Sequence, residues 1–273
     1  MDTEPKPSHL SGDYGAWFKD PLIAAAYPAR PPYPQAAIQL LAGLAVDAPR
    51  AVLDVGCGTG DIARHLAPLV ERVDAVDFST AMVERGQQLP GGQAENLRWI
   101  LGALEEVPLA ASYALVTAGE SLHWMDWPVV LPRFAELLTP NGVLAIIERD
   151  WEHVASMRER LLPIVERYSP VRDYVQYDMV AGLEQRGLFI RLRRQRTVPE
   201  PWLPTVDEYL ECRHSQRGLS RTHMGPEAAS AFDSAIRVAL DELCQQGEVN
   251  QRDGRLQLTV DATVTWGKPV RLA

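Results

Sequence analysis

Three glycines alternate with single residues in the run VLDVGCGTG, which holds Asp54, Gly56, Gly58 and Gly60. Residues without a Cβ let the backbone turn sharply and come close to a ligand. The turn follows an apolar run, AVLDVG (51–56), and precedes helical periodicity. That puts it at the carboxyl end of a strand, where doubly wound sheets hold their ligands. Twenty-one residues beyond Gly56, Asp77 ends a second apolar run, RVDAVD (72–77). A carboxylate there can accept hydrogen bonds from both hydroxyls of a ribose. Turn and acid together describe a seat for an adenosine-bearing ligand.

Two ligand classes compete for such a seat. A dinucleotide site uses G-x-G-x-x-G and leaves a helix N-terminus bare for the pyrophosphate. This chain reads G-x-G-x-G followed by Asp61, and an acid at that point repels a phosphate. A ligand carrying a sulfonium and an ammonium meets no such conflict, and Asp54 adds negative potential nearby. Cys57, inside the turn, is most simply a small packing residue.

The elements that position these residues alternate. Helices are expected over 35–45 (Ile38, Leu41 and Ala42 at helical spacing), 61–70 and 79–89, the last capped by Ser79. Strands are expected over 51–56, 72–77, 96–102 and 113–118. A helix from Asp126 to Leu138 and a Pro140-Asn141-Gly142 turn lead into the strand VLAII (143–147). Alternation on this scale makes a parallel sheet with helices on both faces. Beyond Asp150, helices over about 154–168 and 177–186 precede a strand at 189–198. A helix-rich stretch to about 246 and a closing strand at 255–266 follow. In the arginine-rich strand, strict alternation sets Arg191 and Arg193 on one face and Arg194 and Arg196 on the other, so no single-sided phosphate stripe is expected.

Composition narrows the function further. The 273 residues are 46% hydrophobic and 23% charged, values of an ordinary globular protein. The net charge of −9 argues against a nucleic-acid partner, although 24 of the 27 basic residues are Arg. No apolar run reaches 18 residues, so no membrane span is expected. The N-terminal residues lack the pattern of a secretory signal. Three scattered cysteines give neither a paired-cysteine zinc site nor a disulfide scaffold. The expected location is the cytoplasm, and no metal is expected.

At this point the chain resembles the class I S-adenosylmethionine-dependent methyltransferases, through VLDVGCGTG, VDFSTAMV, LGALEEVPL, GESLHW and LLTPNGVLAI, over about residues 30–150. The RPPYP stretch and the His123-Trp124 pair are similar to the subgroup of trans-aconitate methyltransferases. The resemblance implies a Rossmann-like, seven-stranded, mostly parallel sheet with its last strand antiparallel and a helical cap. It implies S-adenosylmethionine as cofactor, leaving as S-adenosylhomocysteine, and a small-molecule methyl acceptor. Carried over position by position, Gly56, Gly58 and Gly60 shape the turn under the methionine part and Asp54 supports it. Asp77 binds the ribose, Phe78 and Met82 flank the adenosine, and Ala103 and Leu104 lie beside the adenine. The Ala118 backbone meets the methionine amino group. Ala103 stands where the family often carries Asp or another polar residue.

Methyl transfer from a sulfonium is an in-line displacement of an already activated group, so alignment and exclusion of water matter most. A base is needed only if the acceptor must lose a proton. His123 and Glu120, after the fourth strand, are the candidates, with packing against Trp124 and a solvated loop acid as their competing roles. Arg30 is placed to pair with the methionine carboxylate. Tyr14, Trp17 and Phe18 are candidate lid residues, and His214 and His223 candidate acceptor contacts. The expected organisation is a lid segment (1–34), a cofactor-binding core (35–150), a cap that includes the sixth strand (151–250) and the last strand of the sheet (251–273). Two other functions fit the same residues: a catalytically silent cofactor- or partner-binding protein, and an NAD(P)-dependent oxidoreductase, which Asp61 disfavours.

Overall fold

The computed structural model describes residues 6–7, 15–110, 112–171 and 177–271. Short apolar runs form the first strands, because a strand buried on both faces needs no polar alternation. These are β1 (Ala51–Val55), β2 (Arg72–Asp77), β3 (Leu97–Leu101), β4 (Tyr113–Gly119) and β5 (Leu138–Asp150). They lie in the order β3-β2-β1-β4-β5, and all their pairings are parallel. After β6 (Phe189–Arg196), β7 (Glu200–Trp202) and a two-strand ladder of β8 (Gln251–Arg252) and β9 (Arg255–Leu256), the chain returns as β10 (Leu258–Pro269). β10 inserts between β5 and β6, antiparallel to both. The sheet is thus a seven-strand path, and short β7 adds an eighth strand by pairing with the start of β10.

Helices cover both faces. On one side α2 (Gln35–Leu44) and the short α3 (Ala63–Leu66) pack Leu41 and Leu66 against Val52 and Leu115. α4 (Thr80–Gln88) follows β2, and the Ser79 hydroxyl caps it by accepting from the Met82 amide. On the other side α5 (Trp127–Leu137) and α7 (Met179–Gln185) pack Phe134 and Leu183 against Leu53 and Val116. A third core joins α6 (Ala155–Tyr168), α8 (Val206–His214) and α10 (Pro226–Gln245), through Leu161, Tyr209 and Phe232, to Trp202 and Val260 at the β7–β10 end. α1 (Pro21–Ala26) and α9 (Arg221–Met224) complete the helices of the described residues. Among those residues no helix is long and apolar enough to cross a membrane.

Three local expectations are corrected. The helix expected over 61–70 stops at Leu66, and a 3-10 turn (Ala67–Leu69) follows. Pro68 has no N–H to extend the α-helical ladder. The Pro140-Asn141-Gly142 turn lies inside β5, which begins at Leu138 because Tyr113 pairs with it and Asp47 accepts from the Asn141 amide. In β6 the register slips between Arg191, opposite Gly267, and Arg193, opposite Trp266, so Leu192 is an extra residue. Directly opposed residues share a face, and Arg191 therefore joins Arg194 and Arg196, leaving Arg193 and Gln195 on the other. The arginines are exposed, and Arg191 and Arg196 are paired with Glu184 and Asp261.

Candidate active site

A cavity of about 340 Å³ lies over the carboxyl ends of β1, β2 and β4. Its floor is the glycine turn. Gly56 has φ +60°, and a Cβ there would stand 2.6 Å from the Ser121 Cβ. The turn thus reaches the loop after β4 only because the position is glycine. Gly58 also lines the cavity and donates its amide to Asp77 Oδ2 at 2.7 Å. Gly60 faces away: Trp99 closes over it at 2.4 Å from where a Cβ would be, so it serves packing beneath the turn.

Asp77 lies on the cavity wall at the end of β2, with Oδ1 accepting from the Ser79 amide at 2.8 Å. Burial raises its pKa, against the backbone donations of Ser79, Gly58 and Phe78. A carboxylate has about four acceptor positions, so both oxygens keep room for an outside donor. Beyond Asp77 the cavity is apolar, walled by Val76, Phe78, Met82, Ala103 and Leu104. On the opposite side stand Glu120, Ser121, Trp124 and Met125, and the roof is Ala16, Phe18, Lys19 and Tyr27. Phe18 is fixed there because its carbonyl accepts from the Ser79 hydroxyl and its ring packs on Tyr27 and Trp124.

Asp54 sits under the turn. It accepts from Thr117 Oγ1 at 2.8 Å and from the Ala63 amide at 3.1 Å. Burial pushes its pKa up to about 7, against those two donations. The bond to Ala63 uses an amide of the first turn of α3, and Asp61 pairs with Arg64 at 2.7 Å beside it. One amide of that helix end is thus taken by a carboxylate and a second carboxylate stands beside it, a setting that disfavours a pyrophosphate.

Glu120 departs from the expected loop acid. Its φ is +51°, a left-handed conformation uncommon outside glycine. Its Oε2 accepts from Arg149 Nη2 at 2.7 Å, its Oε1 accepts from the Arg149 amide at 3.2 Å, and Arg30 lies 3.7 Å away. Burial alone would raise its pKa, but Arg149 and Arg30 reverse that and hold it low. A carboxylate so held is a weak proton acceptor.

The remaining sequence candidates are dispersed. Arg30 is not among the cavity-lining residues: it donates to the Ser215 hydroxyl and carbonyl, each at 2.9 Å, and to the Tyr27 hydroxyl at 3.2 Å. It therefore ties the cap helix α8 to the roof. Ala118 is buried within β4 and is likewise off the wall. His123 lies tilted on Trp124 with ring centroids 4.1 Å apart, and Trp124, not His123, faces the cavity. His214 is buried in the cap, with Nδ1 bonded to the Leu219 carbonyl and Nε2 to Asp233. His223 stacks on Trp17 at 3.8 Å and bonds Ser220 Oγ. Tyr14 lies outside the described residues. Arg149 joins the site from the end of β5, and its signal in the sequence is a cation closing an apolar strand (VLAIIERD).

Comparison with known proteins agrees with this geometry. Residues 52–142 match the methyltransferase domain family. The malonyl-[acyl-carrier protein] O-methyltransferase of Halalkalibacterium halodurans is 35% identical over 107 residues, 37% of this chain and 39% of that protein. The trans-aconitate 2-methyltransferase of Methylobacterium radiotolerans is 31% identical over 153 residues, 54% and 55% of the two chains. The chain thus spans about half the length, or less, of these relatives. A solved structure described as a type II methyltransferase of Anaeromyxobacter dehalogenans superposes with a TM-score of 0.61 at 22% identity, covering 88% of this chain and 97% of that one. The fold is that of the class I methyltransferases, whose methyl donor is S-adenosylmethionine.

Proposed function

We propose that the chain moves a methyl group from S-adenosylmethionine to a small-molecule acceptor. The observation that carries this reading is the order of groups along the cavity: an apolar wall, then the Asp77 carboxylate, then the glycine turn facing Glu120. That order fits an adenine, a ribose and a charged amino-acid tail in sequence. Phe78, Met82, Ala103 and Leu104 would flank the adenine and Asp77 would accept from the ribose hydroxyls. Gly56 and Gly58 would carry the tail, with Asp54 below bracing the turn through Thr117 and the Ala63 amide and Gly60 shaping the turn. When bound, S-adenosylmethionine supplies an electrophilic methyl on a positively charged sulfur.

The protein's part is alignment and exclusion of water. Trp124, Phe18 and Tyr27 wall the reacting side with aromatic rings. The residues 1–34 would act as the lid and the 151–250 region as the acceptor cap, joined through Arg30 and Ser215. Two relatives carry acids in their names, malonyl-[acyl-carrier protein] and trans-aconitate. A carboxylate is therefore the first acceptor class to test. A carboxylate has no proton to lose, so no base is required. That accords with Glu120 held ionised and His123 off the wall.

Calorimetry with S-adenosylmethionine, S-adenosylhomocysteine and NAD tests the reading, followed by turnover on a panel of small acids, phenols and amines. Binding of the first two, with release of S-adenosylhomocysteine on some acids, is expected. Binding of NAD alone would overturn it, and cofactor binding with silence across the panel would favour a non-catalytic binder.

A further inference from the structure

Resting on that cofactor reading, we infer that a second cavity extends the adenine end of the site. It admits a ring-bearing substituent on the exocyclic amine of the purine, and Ala103 is the residue that decides this specificity. The second cavity, of about 550 Å³, shares Ala103, Glu105, Trp124 and Met125 with the first. Trp127 and Pro128 add to its apolar lining. A protein interior holds a benzene in a cavity of about 150 Å³, so an aromatic ring fits here with room to spare.

The path of the chain sets the direction in which the purine points. Asp77, the ribose acceptor on this reading, also accepts through its carbonyl from the Gly102 amide at 2.9 Å. From there Ala103 to Glu106 lead away from Asp77, along the first cavity and into the second. In adenosine the six-membered ring and its amine lie on the far side of the base from the ribose. An adenine whose ribose sits on Asp77, flanked by Ala103 and Leu104, therefore presents that edge toward the second cavity. Of the four shared residues Ala103 has the smallest side chain, a single methyl.

The turn around that methyl is fixed. The Ala103 carbonyl accepts from the Glu106 and Val107 amides, each at 3.0 Å, and Arg133 of α5 donates to the Leu104 and Val107 carbonyls. A larger side chain at position 103 therefore narrows the opening, because the backbone is not free to withdraw. Lys6 shows what the second cavity accepts. Its half-buried side chain lines it, with Nζ donating to the Met125 carbonyl at 2.9 Å and standing 4.8 Å from the centre of the Trp127 ring. Burial pushes its pKa down to about 8, against Asp126 and Glu105. Walls that weaken an ammonium in this way favour an uncharged ring, which also stacks well on an indole. Glu105, Glu106 and Asp126 at the same cavity disfavour an anionic substituent.

The test uses the full chain and reads binding alone, with no acceptor and no turnover. Affinities of S-adenosylhomocysteine and of its derivative benzylated on the purine amine are measured by calorimetry for the wild type, Ala103→Leu and Lys6→Ala. The wild type should bind the two within about threefold, because burial of the ring on the indoles offsets the cost of ordering it. In Ala103→Leu the benzyl derivative should lose about tenfold or more relative to its parent, the cost of forcing extra carbon into a packed wall. In Lys6→Ala it should gain about threefold on its parent, because the Trp127 face then carries no ammonium and is open to the ring. Each comparison is a ratio within one folded variant, so a general loss of stability does not mimic it. A benzyl derivative that the wild type binds more than about tenfold weaker than its parent, the mark of a closed wall, overturns the inference and leaves the cofactor reading standing. So does a ratio that stays at the wild-type value in either variant. Failure of the wild type to bind S-adenosylhomocysteine itself overturns the cofactor reading and this inference with it.

Discussion

Asp54→Asn should change how stability depends on pH, and the size follows from the structure. Burial raises the Asp54 carboxyl from 3.8 to about 7. The folded state therefore holds this proton over a range in which the unfolded chain has released it. Stability falls wherever the folded state binds more protons than the unfolded one and pH rises. The group thus costs nothing on the acid side, and the loss accumulates from about pH 4 to about pH 7. At 1.36 kcal/mol per pH unit the gap amounts to about 4 kcal/mol above pH 7. Asparagine fits the same space. Its oxygen takes the Ala63 amide, and its amide donates to Thr117 Oγ1, which turns its own proton toward the Leu53 carbonyl 3.5 Å away. The second hydrogen of the asparagine amide finds no acceptor among these partners, a cost that does not vary with pH and so leaves the difference in slope intact. Urea unfolding of both proteins at half-unit steps from pH 4.5 to 8.5 reads the outcome. Relative to its stability near pH 4.5, the variant should gain on the wild type as the pH rises past 7, by up to that amount. Parallel curves across the range would refute the buried, proton-holding state of Asp54.

Other perturbations separate cofactor contacts from scaffold. Asp77→Ala orphans the buried Gly58 and Ser79 amides, so urea unfolding should register about 2–6 kcal/mol; calorimetry should find S-adenosylhomocysteine binding lost. Gly56→Ala places a Cβ against Ser121 at φ +60°; at least 1–2 kcal/mol of stability should go, by the cost of the left-handed conformation alone, and cofactor affinity should fall with it. His214→Ala strips partners from the Leu219 carbonyl and Asp233 deep in the cap. Its melting temperature should drop while affinity for S-adenosylhomocysteine stays within about twofold, because His214 does not line the cavity; a large loss of affinity would put His214 back in the site.

Local chemistry made much of the fold legible. The β1 turn, the acid ending β2 and the Ser79 cap are each written in neighbouring residues, where propensity and periodicity act. What stayed hidden was set by partners far along the chain. β5 begins early because Asp47 holds Asn141, and the β6 register slips because Gly267 and Trp266 lie opposite. All three partners lie far along the chain from the element they govern. At the site, the floor and the adenosine side followed from motifs, whereas the charged end did not. The neighbours of Arg30 in RPPYP suggest a ligand contact and give no sign of Ser215, 185 positions away, to which its guanidinium donates. Glu120 took its character from Arg149, and no spacing rule links an acid after β4 to a cation ending β5.

The placement of β10 bears on synthesis as much as on architecture. β5 and β6 emerge from the ribosome well before the strand that separates them, so each presents an open edge until residues 258–269 arrive. Open edges invite pairing with other chains. For β6 the defence is built in: a register slip and four arginines make its edge uneven and strongly cationic. The arginines of β6 are, on this view, a safeguard for a nascent chain that waits for its final strand.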